Sequence, residues 1–279
     1  MNSPDKMLAS GGDLPGELPP DHARISRNLM QARHEAASLS GFPGTPPADL
    51  ASAYRIQARS IDGWPDDIAG WKVGGIPPQL RAQLDADWLV GPIFAGQTQW
   101  ARKAEVAAMP VFEQGFAAIE PEFVVMLGDS RDQDRLFIGA EIASSPVPAI
   151  NDYGPTAVVC DFGNNNGLLI GEEIADWSHV SEPFDVTISI DGKQVGRKLL
   201  ADGFANCIAA RNFCIAHAER DGRTLKPGTL VSTGAITGVH EARAGARSSI
   251  TFEPFGALEL ELIPATAMKT PTRSTKGNY

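Results

Sequence analysis

The sequence predicts an α+β fold that is mostly β-structure, on three observations. From Trp64 onward the chain breaks into short apolar runs separated by Gly and Pro, the texture of strands joined by tight turns. Before that point, two stretches repeat their apolar residues at helical spacing. A third helical stretch, residues 203–220, carries Ile208, Phe213, Cys214 and Ala216 ahead of the closing strands. Helices at the start and one late insertion around a β-rich middle make an α+β chain.

Taken in order, residues 1–20 hold Gly11-Gly12, Pro15 and Pro19-Pro20 without periodic apolar positions, and read as a flexible N-terminal arm. Asp21 reads as the N-cap of a helix to about Ser40, with Ile25, Leu29, Ala32, Ala36 and Leu39 on one face. Gly41 to Pro47 breaks it, and a second helix runs from Ala48 to Ser60 with Leu50, Tyr54 and Gln57 sharing a face. Together they define an N-terminal helical cap, residues 21–66. The β-rich unit, residues 67–264, takes its strands from Gly70–Gly75, Leu89–Phe94, Glu105–Phe112, Ile119–Leu127 and Leu136–Ile142. Val158-Val159-Cys160 reads as a strand entering a polar loop at Asp161–Gly167, and Leu168–Gly171 resumes the core. Asp185–Ile190 alternates into the hairpin signal Asp191-Gly192 and on through Gln194–Arg197. Leu230–Gly234, Ser249–Phe252 and Ala257–Leu262 close the unit, and residues 265–279 form a short basic tail.

Composition narrows the function. A net charge of −10 with no basic run before the C-terminus argues against nucleic-acid and anionic-membrane partners and for a small molecule. Cys160, Cys207 and Cys214 lack CxxC spacing and read as reduced core residues of a cytoplasmic protein. No apolar stretch is of membrane-spanning length, and no signal-peptide pattern is expected. Neither a P-loop, a G-x-G-x-x-G nor a G-x-S-x-G is present, and the five histidines show no ligand spacing.

Chemistry concentrates in Ile119-Glu120-Pro121-Glu122-Phe123-Val124-Val125. Strand side chains alternate, so Glu120 and Glu122 point the same way. In a buried strand, two such carboxylates repel and call for a shared proton or a cation, and a hard divalent ion suits oxygen ligands. On an edge strand, both would simply face water. Glu141, in Ile138-Gly139-Ala140-Glu141-Ile142, is a third carboxylate in an apolar run, with Asp152 and Asp161 as rivals for a third ligand. Lys72, between Trp71 and Val73, is either a substrate-pairing or proton-moving lysine or a snorkelling one. Ser232-Thr233-Gly234 offers a hydroxyl and backbone N–H groups at a strand end, as an anion cradle or as a plain turn.

These residues together resemble the 2-oxopent-4-enoate hydratase and 4-oxalocrotonate decarboxylase branch of the fumarylacetoacetate hydrolase superfamily. The A-Y-x-I-Q helix of that branch stands as Ala53–Gln57, its K-V-G strand as Lys72-Val73-Gly74, its E-x-E as Glu120-Pro121-Glu122, and its third ligand falls on Glu141. The D-N-A-S-x-G loop matches Asp161 to Gly167, and the L-T-G-A-L segment matches Ser232 to Ile236. The departures are a short interval between Glu122 and Glu141, Ser145-Pro146 in place of Ser-Arg, Leu89 or Trp88 where hydratases often carry an acid, and Asn164-Asn165-Asn166 in place of the serine.

The resemblance implies a rolled β-sandwich with an N-terminal helical cap, forming a homo-oligomer. It implies Mg²⁺ or Mn²⁺ held by Glu120, Glu122 and Glu141, Lys72 as the catalytic residue, and Asp161, Asn164, Thr233 and Gly234 around a small 2-oxo acid. The implied activity is hydration of a 2-hydroxy-2,4-dienoate in aromatic-compound catabolism. Decarboxylation of a 2-oxo-3-enedioate and C–C hydrolysis of an acylpyruvate are the alternatives, the last of these lacking a His-Glu context around His22 and His34. A metal-free β-sandwich binding module is the non-enzyme alternative.

Overall fold

The computed structural model describes residues 18–268, which form two β-sheets and five α-helices. Helix α1 (Pro20–Glu35) begins with Pro20 in its first turn, where the missing N–H costs nothing, and stops where Ala36 turns left-handed at φ 52°. It therefore ends before Ser40, and Asp21 sits in its first turn instead of capping it. Helix α2 (Leu50–Asp62) is capped by Asp49, whose side chain accepts from Ser52 N–H at 2.7 Å. Helix α3 (Pro78–Leu84) is an addition to the expected elements. Val158-Val159-Cys160 is not a strand but the second half of helix α4 (Pro155–Cys160). Three apolar residues fit either period, and Pro155 at the first helical position decides for helix. Helix α5 (Ala205–Arg220) lies where the pattern places it.

The first sheet runs in the order β2 (Trp88–Phe94), β1 (Ile68–Gly75), β10 (Leu230–Ser232), β5 (Phe116–Met126), β6 (Arg135–Ser145), β7 (Asn165–Glu173) and β3 (Thr98–Trp100), with the short β11 (His240–Glu241) also on β5. The second sheet runs β4 (Ala107–Val111), β13 (Gly256–Pro264), β12 (Arg247–Glu253), β8 (Phe184–Ile190) and β9 (Lys193–Leu200). Most neighbours are antiparallel, while β1 with β10, β3 with β7, and β13 with β4 are parallel.

Strands β5 and β6 are buried along nearly their whole length because both faces of the first sheet are covered. On one face Ile119, Phe123, Val125, Leu136, Ile138 and Ile142 pack against Val186, Ile188, Ile250, Phe252, Leu258 and Leu260 of the second sheet. On the other, Phe116, Ala118 and Ala143 meet Ile25 and Leu29 of α1, Ala53 and Ile56 of α2, and the apolar residues of α4. Helices α1 and α2 thus share a core with the first sheet. Further along that second face, Val124, Phe137, Leu168, Ile170, Ile93 and Leu230 form a separate apolar cluster. Between these two clusters lie the acidic side chains of β5 and β6.

One close approach fixes the rim of this region. Gly91 of β2 runs against the segment after α4, where an added Cβ would fall 2.3 Å from the Phe162 carbonyl oxygen. That segment is itself unusual, since Phe162, Gly163 and Asn164 all have positive φ, at 56°, 66° and 55°. Gly91→Ala is expected to lower the unfolding free energy in urea by about 1–3 kcal/mol through overpacking. The control is Gly75→Ala, where a Cβ meets nothing within 4 Å, and which should stay within about 0.5 kcal/mol of the parent.

Candidate metal centre

Strand alternation puts Ala118, Glu120, Glu122 and Val124 on one face of β5, and the antiparallel register sets Glu141 of β6 directly opposite Glu120. The neighbour of Glu122 in that register is Gly139, which adds no side chain. Across β10 the ladder continues from Val124 to Ser232 and from Ser232 to Lys72 of β1, so Lys72 and Ser232 share the face of the carboxylates. One carboxylate oxygen from each of Glu120, Glu122 and Glu141 lies within 4.8 Å of the other two. All three are buried, Glu122 and Glu141 completely. Asp152, by contrast, lies exposed in a short 3-10 helix, Ile150–Tyr153, outside the cluster.

Each carboxylate is held differently. Glu122 accepts at Oε2 from the Ser232 hydroxyl and from the Gly234 N–H at 2.9 Å. Glu141 accepts at Oε1 from Asn165 Nδ2 at 3.0 Å and faces the Lys72 ammonium at 3.5 Å. The second oxygens, Glu122 Oε1 and Glu141 Oε2, are buried with no protein partner. Orphaned buried acceptors are rare and costly. Here two of them occur within one acidic cluster.

Electrostatics follow from the burial. Glu120 is pushed up to about 7, first by burial and then by the charge of Glu141, with Lys72 pulling the other way. Glu122 is held well above the ordinary carboxylate range by burial and by Glu141 and Glu120, against the hydrogen bonds from Ser232 and Gly234. For Lys72, burial works to lower the pKa, but the negative charge of Glu141, Glu120 and Glu122 outweighs it and leaves the value above the ordinary one. Three ionised carboxylates beside one ammonium leave two negative charges, which one divalent cation neutralises. The donor set is all carboxylate oxygen, as Mg²⁺ and Mn²⁺ prefer. The orphaned oxygens, the residual charge and the donor chemistry all fit such an ion.

The polar loop after α4 closes on this centre. Asn164 Oδ1 accepts from Lys72 Nζ at 3.2 Å, and its Nδ2 donates to Asn151 Oδ1 at 3.4 Å. Asp161 and the Thr233–Gly234 turn, both expected near substrate, have other partners. Both Asp161 oxygens accept from Arg33, at 2.5 and 3.0 Å, and its side chain is buried. The Thr233 hydroxyl donates to the Phe123 carbonyl at 2.9 Å, and the Gly234 amide serves Glu122. These groups brace β5 and the loop.

Sequence reasoning singled out the segments that hold Ser232 and Asn165 without assigning either residue its role, and it missed Arg33. Ser232 follows from strand parity once β10 is known to lie between β1 and β5, and Asn165 stands in the loop already singled out. Nothing in the pattern of α1 distinguishes Arg33 from a surface arginine. The histidines lie elsewhere: His22 and His34 are on α1, His217 packs against Tyr54, and His240 Nε2 lies 2.8 Å from Thr237 Oγ1. None belongs to the acidic cluster.

Solved structures of one enzyme share this architecture. The 4-oxalocrotonate decarboxylase from Pseudomonas putida G7, complexed with magnesium and adipate, aligns with a TM-score of 0.68 and 18% identity over 87% of this chain and 97% of its own. The same enzyme complexed with calcium and acetate aligns at 0.65, with the same identity and coverage. The fumarylpyruvate hydrolase from Pseudomonas aeruginosa, in complex with Mn²⁺ and pyruvate, aligns at 0.49 and 15% identity over 70% of this chain and 89% of its own. No protein-family model matches the chain, and no curated protein sequence matches it. The fold is thus the one that the sequence resemblance implies, the α+β fold of the decarboxylase.

The pKa of Glu120 gives a signed expectation. A carboxylate whose folded pKa is raised favours folding while protonated, so in metal-free protein that contribution is lost as pH rises from 4.5 to about 7. The melting temperature of the chelated protein should fall across this window. Saturating Mg²⁺ should remove the fall, and Glu120→Gln should lessen it in the metal-free protein, leaving the share that the raised Glu122 contributes. A chelated E120Q protein with the parent's pH dependence would count against this assignment.

Proposed function

We propose that the chain is a divalent-metal-dependent lyase that hydrates a 2-hydroxy-2,4-dienoate of the 2-oxopent-4-enoate type to a 4-hydroxy-2-oxo acid. The observation that carries this reading is the buried triad Glu120, Glu122 and Glu141, with unpartnered oxygens and Lys72 beside it. The triad would hold Mg²⁺ or Mn²⁺, which when bound supplies Lewis-acid stabilisation of the enolate form of a 2-oxo acid. Lys72 has three N–H donors, of which one meets Asn164 and another faces Glu141. The third is left to bind the substrate carboxylate or to move a proton during ketonisation of the dienol. Asn164 fixes the direction of the ammonium. Water then adds to the conjugated enone.

The choice of a monoacid rests on the cations. Among the described residues, Arg33 and Lys72 are the buried ones. Arg33 is fully engaged by Asp161 and its neighbours. A second carboxylate on the substrate would therefore meet no unengaged buried cation. Decarboxylation of a 2-oxo-3-enedioate stays as the second reading because the solved decarboxylase with this fold is complexed with magnesium and adipate, a dicarboxylate. C–C hydrolysis has less support, since no histidine belongs to the cluster.

The test is to load the protein with Mg²⁺ and follow ultraviolet absorbance with 2-hydroxypenta-2,4-dienoate and, separately, 2-oxohex-3-enedioate. Loss of the first signal with formation of 4-hydroxy-2-oxopentanoate is expected, and turnover of the dicarboxylate alone would replace hydration by decarboxylation. Glu120→Ala and Glu122→Ala should abolish both metal retention and turnover. Lys72→Met should retain the metal but lose about 10²–10⁴-fold in rate, the usual contribution of a positioned proton donor. A parent protein that binds no divalent ion and is indifferent to the glutamate substitutions would be a binding module.

A further inference from the structure

The polar loop at the centre is gripped by a side chain far from it in sequence. Arg33, in the last turn of α1, is buried and donates to both ends of that loop. At the start it meets the Asp161 carboxylate through Nε and Nη2 at 2.5 and 3.0 Å, and the Asp161 carbonyl at 3.1 Å. At the end it meets the Asn165 carbonyl at 3.0 Å and Asn166 Oδ1 at 3.3 Å. Nη2 also donates to the Ser144 carbonyl of β6 at 3.1 Å, three residues beyond Glu141. Phe112 and Phe162 lie against the guanidinium, with centroids at 5.6 and 5.3 Å.

Between the gripped ends, Phe162, Gly163 and Asn164 hold left-handed backbone, a conformation that non-glycine residues keep only where the surroundings enforce it. From this loop Asn165 donates to Glu141, and Asn164 accepts from Lys72. We propose that Arg33 is a positioning residue for the metal centre, fixing through the Asn165 backbone the amide that orients Glu141. The inference rests on the metal reading given above. A lysine cannot replace the fork, because an ammonium offers a point charge and three donors in place of a planar set of five.

The test reads metal binding, not turnover. Mn²⁺ titration by electron paramagnetic resonance is run on the parent, Arg33→Lys, Asn165→Ala and the double variant. Arg33→Lys is expected to weaken Mn²⁺ binding about ten- to hundredfold, as changes behind a metal ligand do. The double variant should bind no worse than Asn165→Ala alone, because both changes act through one amide. Parent-like Mn²⁺ affinity in Arg33→Lys, or losses that add in the double variant, overturns the proposal even if thermal stability falls. If Arg33→Lys does not fold, hydrogen exchange of the parent decides. Mg²⁺ should slow exchange in residues 161–167 and in the last turn of α1 together, and protection of the loop alone overturns the coupling. A parent that binds no Mn²⁺ overturns the metal reading and this one with it, whereas parent binding with Arg33→Lys unaffected overturns only this one.

Discussion

The constraint on which the centre depends is the burial of three carboxylates on adjoining strands. At an effective dielectric of about 20, two unit charges 4 Å apart interact by roughly 4 kcal/mol. Three carboxylates repel in three pairs, and Lys72, 3.5 Å from Glu141, attracts all three and offsets part of that repulsion. What one lysine does not offset is the desolvation of four buried charges. The raised pKa of Glu120 expresses that remainder, as burial is its largest cause. A proton or a divalent cation is the available remedy, and the orphaned oxygens of Glu122 and Glu141 suit the cation.

The rest of the architecture makes this arrangement sustainable. The face of the first sheet toward the second sheet is predominantly apolar, and the opposite face carries the charge. On that face, apolar clusters at both ends exclude water and the carboxylates occupy the middle. Every strand that touches the triad contributes a compensating group: β10 gives Ser232, β1 gives Lys72 and the start of β7 gives Asn165. The buried Arg33–Asp161 pair belongs to the same design. Such a pair contributes little net stability after desolvation, so its value lies in fixing which conformation the loop adopts.

Legibility differed by residue for physical reasons. The acidic strand was readable because its apolar flanks announce burial and alternation then places Glu120 beside Glu122. Lys72 and Glu141 were noticeable as single charges in apolar runs. The resemblance places Asp161 and the Thr233–Gly234 turn around a substrate, and a polar, glycine-flanked segment looks the same in sequence whether its donors and acceptors face a ligand or the protein itself. Their partners, Arg33, Phe123 and Glu122, lie on other elements. Val158-Val159-Cys160 was misread because a run of three apolar residues carries no usable period.

By itself the sequence determined what depends on near neighbours: the β-rich texture, the helical stretches, the shared face of Glu120 and Glu122, and the charge that disfavours polyanionic partners. Tertiary structure brought the third carboxylate to them, since the β5–β6 register sets Glu141 opposite Glu120 and leaves Asp152 outside. It also decided that Lys72 reaches the triad across β10 and that Arg33 meets Asp161 over a sequence separation of 128 residues. Those contacts rest on register and helix docking, which are set by the packing of whole elements and leave no periodic trace in the residues that make them.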